Sequence, residues 1–439
     1  MKFGLATAGL VVLLPWGAHA QGPDPSTRQL IEQLMARIDT LEKRVAELER
    51  TPRTARAVPP AAPAVAAAAP PGPHLDHEQA PAPETTASEA QPVYPSLKIA
   101  GFGDFDFAAT DLHSTAVGFQ PQTLLNPHTG FDEGQFVLHL SSALSPKVTV
   151  FSELSFTARS DAGTGSPAPL APGFNAEVER LILRYDLNDY FKVSFGRYHT
   201  PINYWNTAFH HGEWLQTTIS RPEMTQFGGS FIPVHFVGTL VEGALPAGGL
   251  NLNYNFGLGN GRGQILSRGG DFGDINNNRA WLANLFVKPD KAYGLQMGGS
   301  IYRDELNPLN PSGVVAREWI ESGHIVWQKE TPEFIAEFAN VRHEFRGGGS
   351  ANSQAFYAQS AYRLPFANKW KPYYRFEQIH VPRSDAIFRP VVPSFSGSTA
   401  GLRFDFASFA AFKLEYRNYW RRDLPNIRGI FTQTSFTFG

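Results

Sequence analysis

The chain has 439 residues, 13% of them aromatic, with 34 Phe, 40 Gly, no Cys and a formal net charge of −2. The absence of Cys excludes a disulfide framework, a thiolate metal site or nucleophile and a lipid-bearing Cys, and the near-zero charge gives a nucleic-acid partner no footing. Many aromatic residues combined with a slightly negative mean hydropathy exclude a bundle of membrane helices and suit strands that are apolar on one face only.

Residues 1–20 read as a signal peptide. Met1-Lys2 precedes an apolar run from Phe3 to Trp16, and Ala18-His19-Ala20 supplies the small-x-small site, predicting cleavage after Ala20. The run is too short to span a bilayer as a helix, and no later apolar stretch approaches about 18 residues.

Residues 26–51 carry Ile31, Leu34, Ile38, Leu41, Val45 and Leu48 at alternating spacings of three and four, a heptad with β-branched residues at a and Leu at d. Ser26 or Thr27 caps the helix and Pro52 stops it. A lone helix of this length is marginal in water, so it requires partner chains. The core residues by themselves lean towards a dimer. However, Arg37-Ile38-Asp39-Thr40-Leu41-Glu42 resembles the R-h-x-x-h-E trimerisation motif of short coiled coils, and Arg44-Val45-Ala46-Glu47-Leu48-Glu49 repeats it. The resemblance implies a homotrimer in which Arg37 and Arg44 reach Glu42 and Glu49 of a neighbouring helix. From 52 to 96 the chain is Pro- and Ala-rich, cannot bury a core, and reads as an extended linker.

From residue 97 to 439 the pattern becomes a two-residue alternation. Leu250-Asn251-Leu252-Asn253-Tyr254-Asn255-Phe256 is apolar at every second position, which puts one face against hydrocarbon and the other against water. About sixteen such segments begin near 97, 135, 147, 176, 190, 232, 250, 279, 293, 317, 333, 353, 370, 397, 409 and 428. Short connections such as Ser145-Pro146, Asn188-Asp189 and Ala407-Ser408 alternate with long polar ones, as periplasmic turns and extracellular loops do in a transmembrane β-barrel. Aromatic strand ends (Tyr185, Tyr254, Tyr416, Trp420, Phe438) fit membrane interfaces better than a soluble all-β fold. The expected fold is all-β: an antiparallel barrel of about sixteen strands with both termini on the periplasmic side of a bacterial outer membrane.

Phe431-Thr432-Gln433-Thr434-Ser435-Phe436-Thr437-Phe438 resembles the C-terminal signal through which outer-membrane barrels meet their assembly machinery; here Gly439 follows the aromatic. Gly196-Arg197-Tyr198-His199-Thr200-Pro201-Ile202, directly after a strand, resembles the corresponding stretch of phosphate-selective porins of the O/P type. The resemblance implies a porin over the whole barrel. It does not bring phosphate with it, because Lys plus Arg equal Asp plus Glu from residue 97 onward.

Strand parity points Arg180, Arg184, Lys192, Arg375, Arg403, Lys413 and Arg417 into the lumen, together with Glu153, Glu337, Glu377 and Glu415. Opposite charges facing each other across a pore would set up a transverse field and modest selectivity, although charges also face the lumen simply because lipid rejects them. The longest loop, Tyr198 to Phe231, carries Trp205, Phe209, His210, His211, Glu213, Trp214 and Arg221, and is expected to enter the lumen and set the constriction. A metal at His199, His210, His211 and Glu213 fits no established ligand spacing, nor does one at Asp271, Asp274 and Asn276 follow the EF-hand order. No metal or cofactor is expected. A barrel hydrolase would need a signature such as G-x-S-x-G, which is missing. The functional expectation is passive diffusion of small polar solutes or ions, with an adhesin or receptor barrel as the alternative.

Overall fold

The computed structural model describes residues 94–111, 130–158, 174–209, 212–226, 231–245, 247–271, 273–274 and 276–439. The expected signal peptide, coiled-coil helix and linker up to residue 93 lie outside the described residues, as do His210 and His211.

The strands are β1 (Lys98–Thr110), β2 (Gly130–Ser145), β3 (Val148–Ala158), β4 (Phe174–Asn188), β5 (Phe191–His199) and β6 (His235–Leu245). They continue with β7 (Leu252–Asn260), β8 (Ala280–Val287), β9 (Leu295–Leu306), β10 (Ala316–Gln328) and β11 (Glu333–Phe345). The chain ends with β12 (Ser350–Ala361), β13 (Trp370–His380), β14 (Phe395–Ala407), β15 (Ala410–Arg421) and β16 (Ile427–Phe438). Each pairs antiparallel with its sequence neighbours and β1 pairs with β16, so the sheet closes as a sixteen-stranded barrel. Closure leaves no free strand edge.

The two-residue period decides which side chain faces where. On β15, Lys413, Glu415, Arg417 and Tyr419 are buried inside while Phe412, Leu414, Tyr416 and Trp420 are exposed outside. The same division holds on β13, where Arg375 and Glu377 are buried and Tyr374 and Phe376 exposed. The outer apolar residues form the surface that hydrocarbon would cover. At the seam, Gly101 and Gly103 of β1 pair with Phe438 and Phe436 of β16. A Cβ on Gly103 would lie 2.6 Å from the Phe436 ring, so the ring packs flat only because that position has no side chain.

Most connections at one end are short turns and most at the other are longer loops, with the expected order reversed at 346–349 and 362–369. The interior is not simply polar. Ile202, Tyr204, Trp205, Met224, Phe231 and Ile232, all between β5 and β6, are buried in an apolar cluster with Leu282, Ile320, Val341 and Tyr357 of the wall. The core of this molecule lies inside the barrel.

Candidate functional site: the lumen and the loop that crosses it

The loop follows β5, which carries a glycine three residues before its end. Gly196 has φ +143°, and a Cβ there would lie 1.9 Å from the Leu181 carbonyl oxygen, so only glycine fits. Beyond it, Arg197 pairs with Glu177 at 2.9 Å, and His199 Nε2 lies 3.2 Å from a Glu153 oxygen. The motif that resembles the porin stretch therefore anchors the loop on the β3–β4 wall. At its neck, Asn206 donates its amide to the carbonyls of both Thr200 (2.8 Å) and Val234 (3.1 Å), tying the two ends together. Asn206 lies in the short helix α1 (Trp205–Ala208).

Wall charges hold the loop by its backbone. Glu337 of β11 accepts the N–H groups of Tyr204 (2.8 Å) and Trp205 (2.6 Å). These are donors at the start of α1 that the helix itself cannot satisfy. Glu415 of β15 accepts Ile219 N–H at 2.9 Å and Ser220 N–H at 3.2 Å, and Glu377 of β13 accepts Glu223 N–H at 2.6 Å. The cations take the carbonyls. Arg375 donates to Ser220 O (2.8 Å) and Arg221 O (2.9 Å), and Arg403 to Trp214 O (2.8 Å) and Gln216 O (2.9 Å). Lys413 donates to Glu213 O and Thr218 O. Charge-assisted bonds of this kind are about twice as strong as neutral ones. Apolar contacts complete the seat: Trp214 and Leu215 pack on Phe102 and Val137, and Ile219 on Ala108 and Phe431.

These positions revise the expected charge distribution. Arg375, Glu377, Lys413 and Glu415 all lie inside the barrel, but they are buried under the loop rather than open to an aqueous channel. Arg375 bonds Glu377 at 3.1 Å and Arg417 bonds Glu415 at 2.6 Å, each on its own strand, because residues i and i+2 share a face. Arg417 also lies over the Phe431 ring at 3.7 Å, within cation–π range. Arg180 is taken by Glu153 at 2.6 Å, and Arg184 meets Asp186 at 2.8 Å and Glu242 at 3.5 Å. Lys192 is half-buried on β5 opposite Glu242.

Within the loop, Trp205 is fully buried, and Glu213 and Arg221 are buried as well. Burial lowers the Arg221 guanidinium to about 10. Glu223 is raised to about 7, by burial first and then by the neighbouring Glu377 carboxylate. Among the described residues no group of three or more His, Cys, Asp or Glu side chains is placed to hold a metal ion. Asp274 accepts Asn276 N–H and pairs with Arg279, while Asp271 faces Arg197 at 3.5 Å. Their oxygens serve the turn and the arginines.

One cluster escaped the sequence reading. Arg262, beyond β7, pairs with Glu318 of β10 at 2.9 Å, and His343 of β11 lies 3.1 Å from Glu318 and 2.8 Å from Asp385 of the β13–β14 loop. Ser353 of β12 donates to Asp385 at 2.6 Å, and Arg262 donates to Phe231 O at 2.8 Å. Three loops thus meet at one buried knot. His343 has the parity of Glu337 and was readable from the pattern; Arg262 and Asp385 sit in loops, where periodicity says nothing.

No known protein-family profile matches the chain, and no curated protein matches it. Among solved structures it is similar to an anion-selective porin from Comamonas acidovorans, at 11% identity over 78% of this chain and 100% of that one, with a TM-score of 0.54. It is likewise similar to the outer membrane channel DcaP of Acinetobacter baumannii, at 10% identity over 78% of this chain and 97% of that one, with a TM-score of 0.53. At these identities the likeness concerns architecture, and it agrees with what the strands show independently: the chain has the sixteen-stranded barrel fold of outer-membrane porins.

Proposed function

We propose that the protein is an outer-membrane channel for passive diffusion of small hydrophilic solutes or ions, with the loop from Tyr198 to Phe231 as its constriction. The carrying observation is the loop itself, whose backbone is gripped by Glu337, Arg375, Glu377, Arg403, Lys413 and Glu415 across the inside of a closed barrel. A binding barrel or adhesin would present its loops outward. Here the described residues of the longest connection are held against the inner wall instead. In this reading residues 1–20 direct export and are removed, residues 26–51 form a periplasmic coiled coil on the 52–96 linker, β16 is read by the assembly machinery, and three copies associate. The equal numbers of Lys plus Arg and Asp plus Glu from residue 97 onward argue for weak ion preference rather than phosphate selectivity.

Single-channel recording in planar bilayers tests the reading: discrete current steps are expected, and reversal potentials in graded salt give the ion preference. Deleting residues 203–214 should raise the unit conductance. Unchanged conductance in a folded deletion variant removes the constriction role, and no current from the intact protein favours the adhesin or receptor alternative.

A further inference from the structure

At the turn end of the barrel, beneath the loop, lies a cavity of about 240 Å³. Its polar wall is a continuous chain of six charges of alternating sign. Glu333 meets Lys371 at 2.7 Å, Lys371 meets Glu330 at 3.1 Å, and Glu330 meets Arg363 at 2.9 Å. Arg363 then bonds Asp405, which meets Arg403 at 2.7 Å. The loop supplies the apolar part of the lining, chiefly Phe209 and Trp214, with Trp214 beside Arg403 at 5.7 Å. The amide Nε2 of Gln328, also in the lining, has no hydrogen-bond partner among the described residues.

Three carboxylates against three cations leave the lining formally neutral, so a lone cation or anion is attracted and repelled about equally. A solute carrying both charges is treated differently. Its ammonium can lie against a carboxylate and its carboxylate against the adjacent cation at the spacing the chain already has, without leaving a wall charge unpaired. Glu330 is the most accessible member, with its side chain 41% exposed, and Arg363 is beside it. An apolar substituent would rest on Phe209 and Trp214, where aromatic faces favour rings. The volume lies below that of drug-sized sites, which run from about 300 Å³ upward, and so selects small solutes. From this pairing of an alternating charge chain with an aromatic wall, we infer that the cavity is a binding station for small zwitterions of the amino-acid class, with an apolar or aromatic side chain preferred. The inference rests on the channel reading and adds a solute class to it.

The test compares L-phenylalanine with its single-charge counterparts, 3-phenylpropionate and 2-phenylethylammonium, at neutral pH. In single-channel recordings of the full-length protein, L-phenylalanine should interrupt the current saturably, at concentrations at least roughly tenfold below those the two counterparts require. Glu330→Gln leaves the lining with one extra positive charge and should shift preference towards 3-phenylpropionate; Arg363→Gln leaves one extra negative charge and should shift it towards 2-phenylethylammonium. Calorimetry of the same solutes with the folded, detergent-solubilised protein reads binding even for a variant that conducts poorly. Equal interruption by all three solutes, or an unchanged order of preference in both variants, overturns the inference while leaving the channel intact. Loss of all current from the unmodified protein points instead at the channel reading.

Discussion

At the scale of single residues, the lumen charges act on backbone. Arg375 is fully buried and is shared between Glu377 and the carbonyls of Ser220 and Arg221. Replacing it by Met would keep the volume but strand a buried carboxylate, and breaking a buried pair from one side costs about 3–5 kcal/mol. Arg375→Met is therefore expected to lower the temperature at which the barrel loses its heat-modifiable gel mobility; an unchanged transition would mean that Arg375 is not the clamp described here. Glu223 gives the loop a pH dependence of definite sign. Its carboxyl is raised from 4.5 to about 7, chiefly by burial and then by Glu377, so the seated loop favours the protonated form. Seating is most favourable below pH 4.5 and weakens as pH rises through about 7. Open-channel current should grow and become noisier between pH 5 and pH 8, and Glu223→Gln should flatten that response. The same pH response in the variant would assign the effect to another group.

At the scale of elements, one strand shows how sharply the two faces differ. Lys413 is buried inside β15 while its neighbour Leu414 is 43% exposed outside, because consecutive Cβ atoms point to opposite faces. A charge is thus accommodated at 413 by Gln433 and loop carbonyls, whereas one residue later it would enter hydrocarbon. Leu414→Arg is expected to cost about 2–4 kcal/mol of folding stability in lipid, the range for a cation near the bilayer midplane, and Leu414→Phe almost nothing. Equal stability of the two variants, measured by urea titration in liposomes, would place β15 outside the membrane.

At the scale of the whole molecule, oligomeric state is the open expectation with the clearest readout. The repeated Arg-x-x-x-x-Glu heptads at 37–42 and 44–49 predict three helices, each rim ion pair adding about 0.2–1 kcal/mol. Native mass measurement in mild detergent should give a trimer for the full chain. A chain beginning near Val93 should either lose trimer or retain it in smaller proportion. A full-length monomer or dimer would refute the trimer, and an undiminished trimer after truncation would make the helices dispensable.

Much of the architecture was legible in the sequence. Sixteen strands beginning within a few residues of their expected starts follow from a single physical rule, that one face of each strand meets lipid and the other does not; connection lengths were less legible, since 346–349 is shorter than 362–369, the reverse of the expected order. That rule is local, so period-two runs such as 412–416 carry it in full. The same rule placed Arg375, Glu377, Lys413 and Glu415 on the inner face. It could not say what those charges would touch. Whether a lumen charge meets water or a loop carbonyl depends on contacts between residues more than 150 positions apart, as between Arg375 and Ser220 or Lys413 and Thr218. Sequence periodicity therefore determined the barrel and the inward face of its charges. Only the tertiary structure decided that those charges hold a loop, because an irregular segment acquires its partners from the whole closed wall and not from its own neighbours.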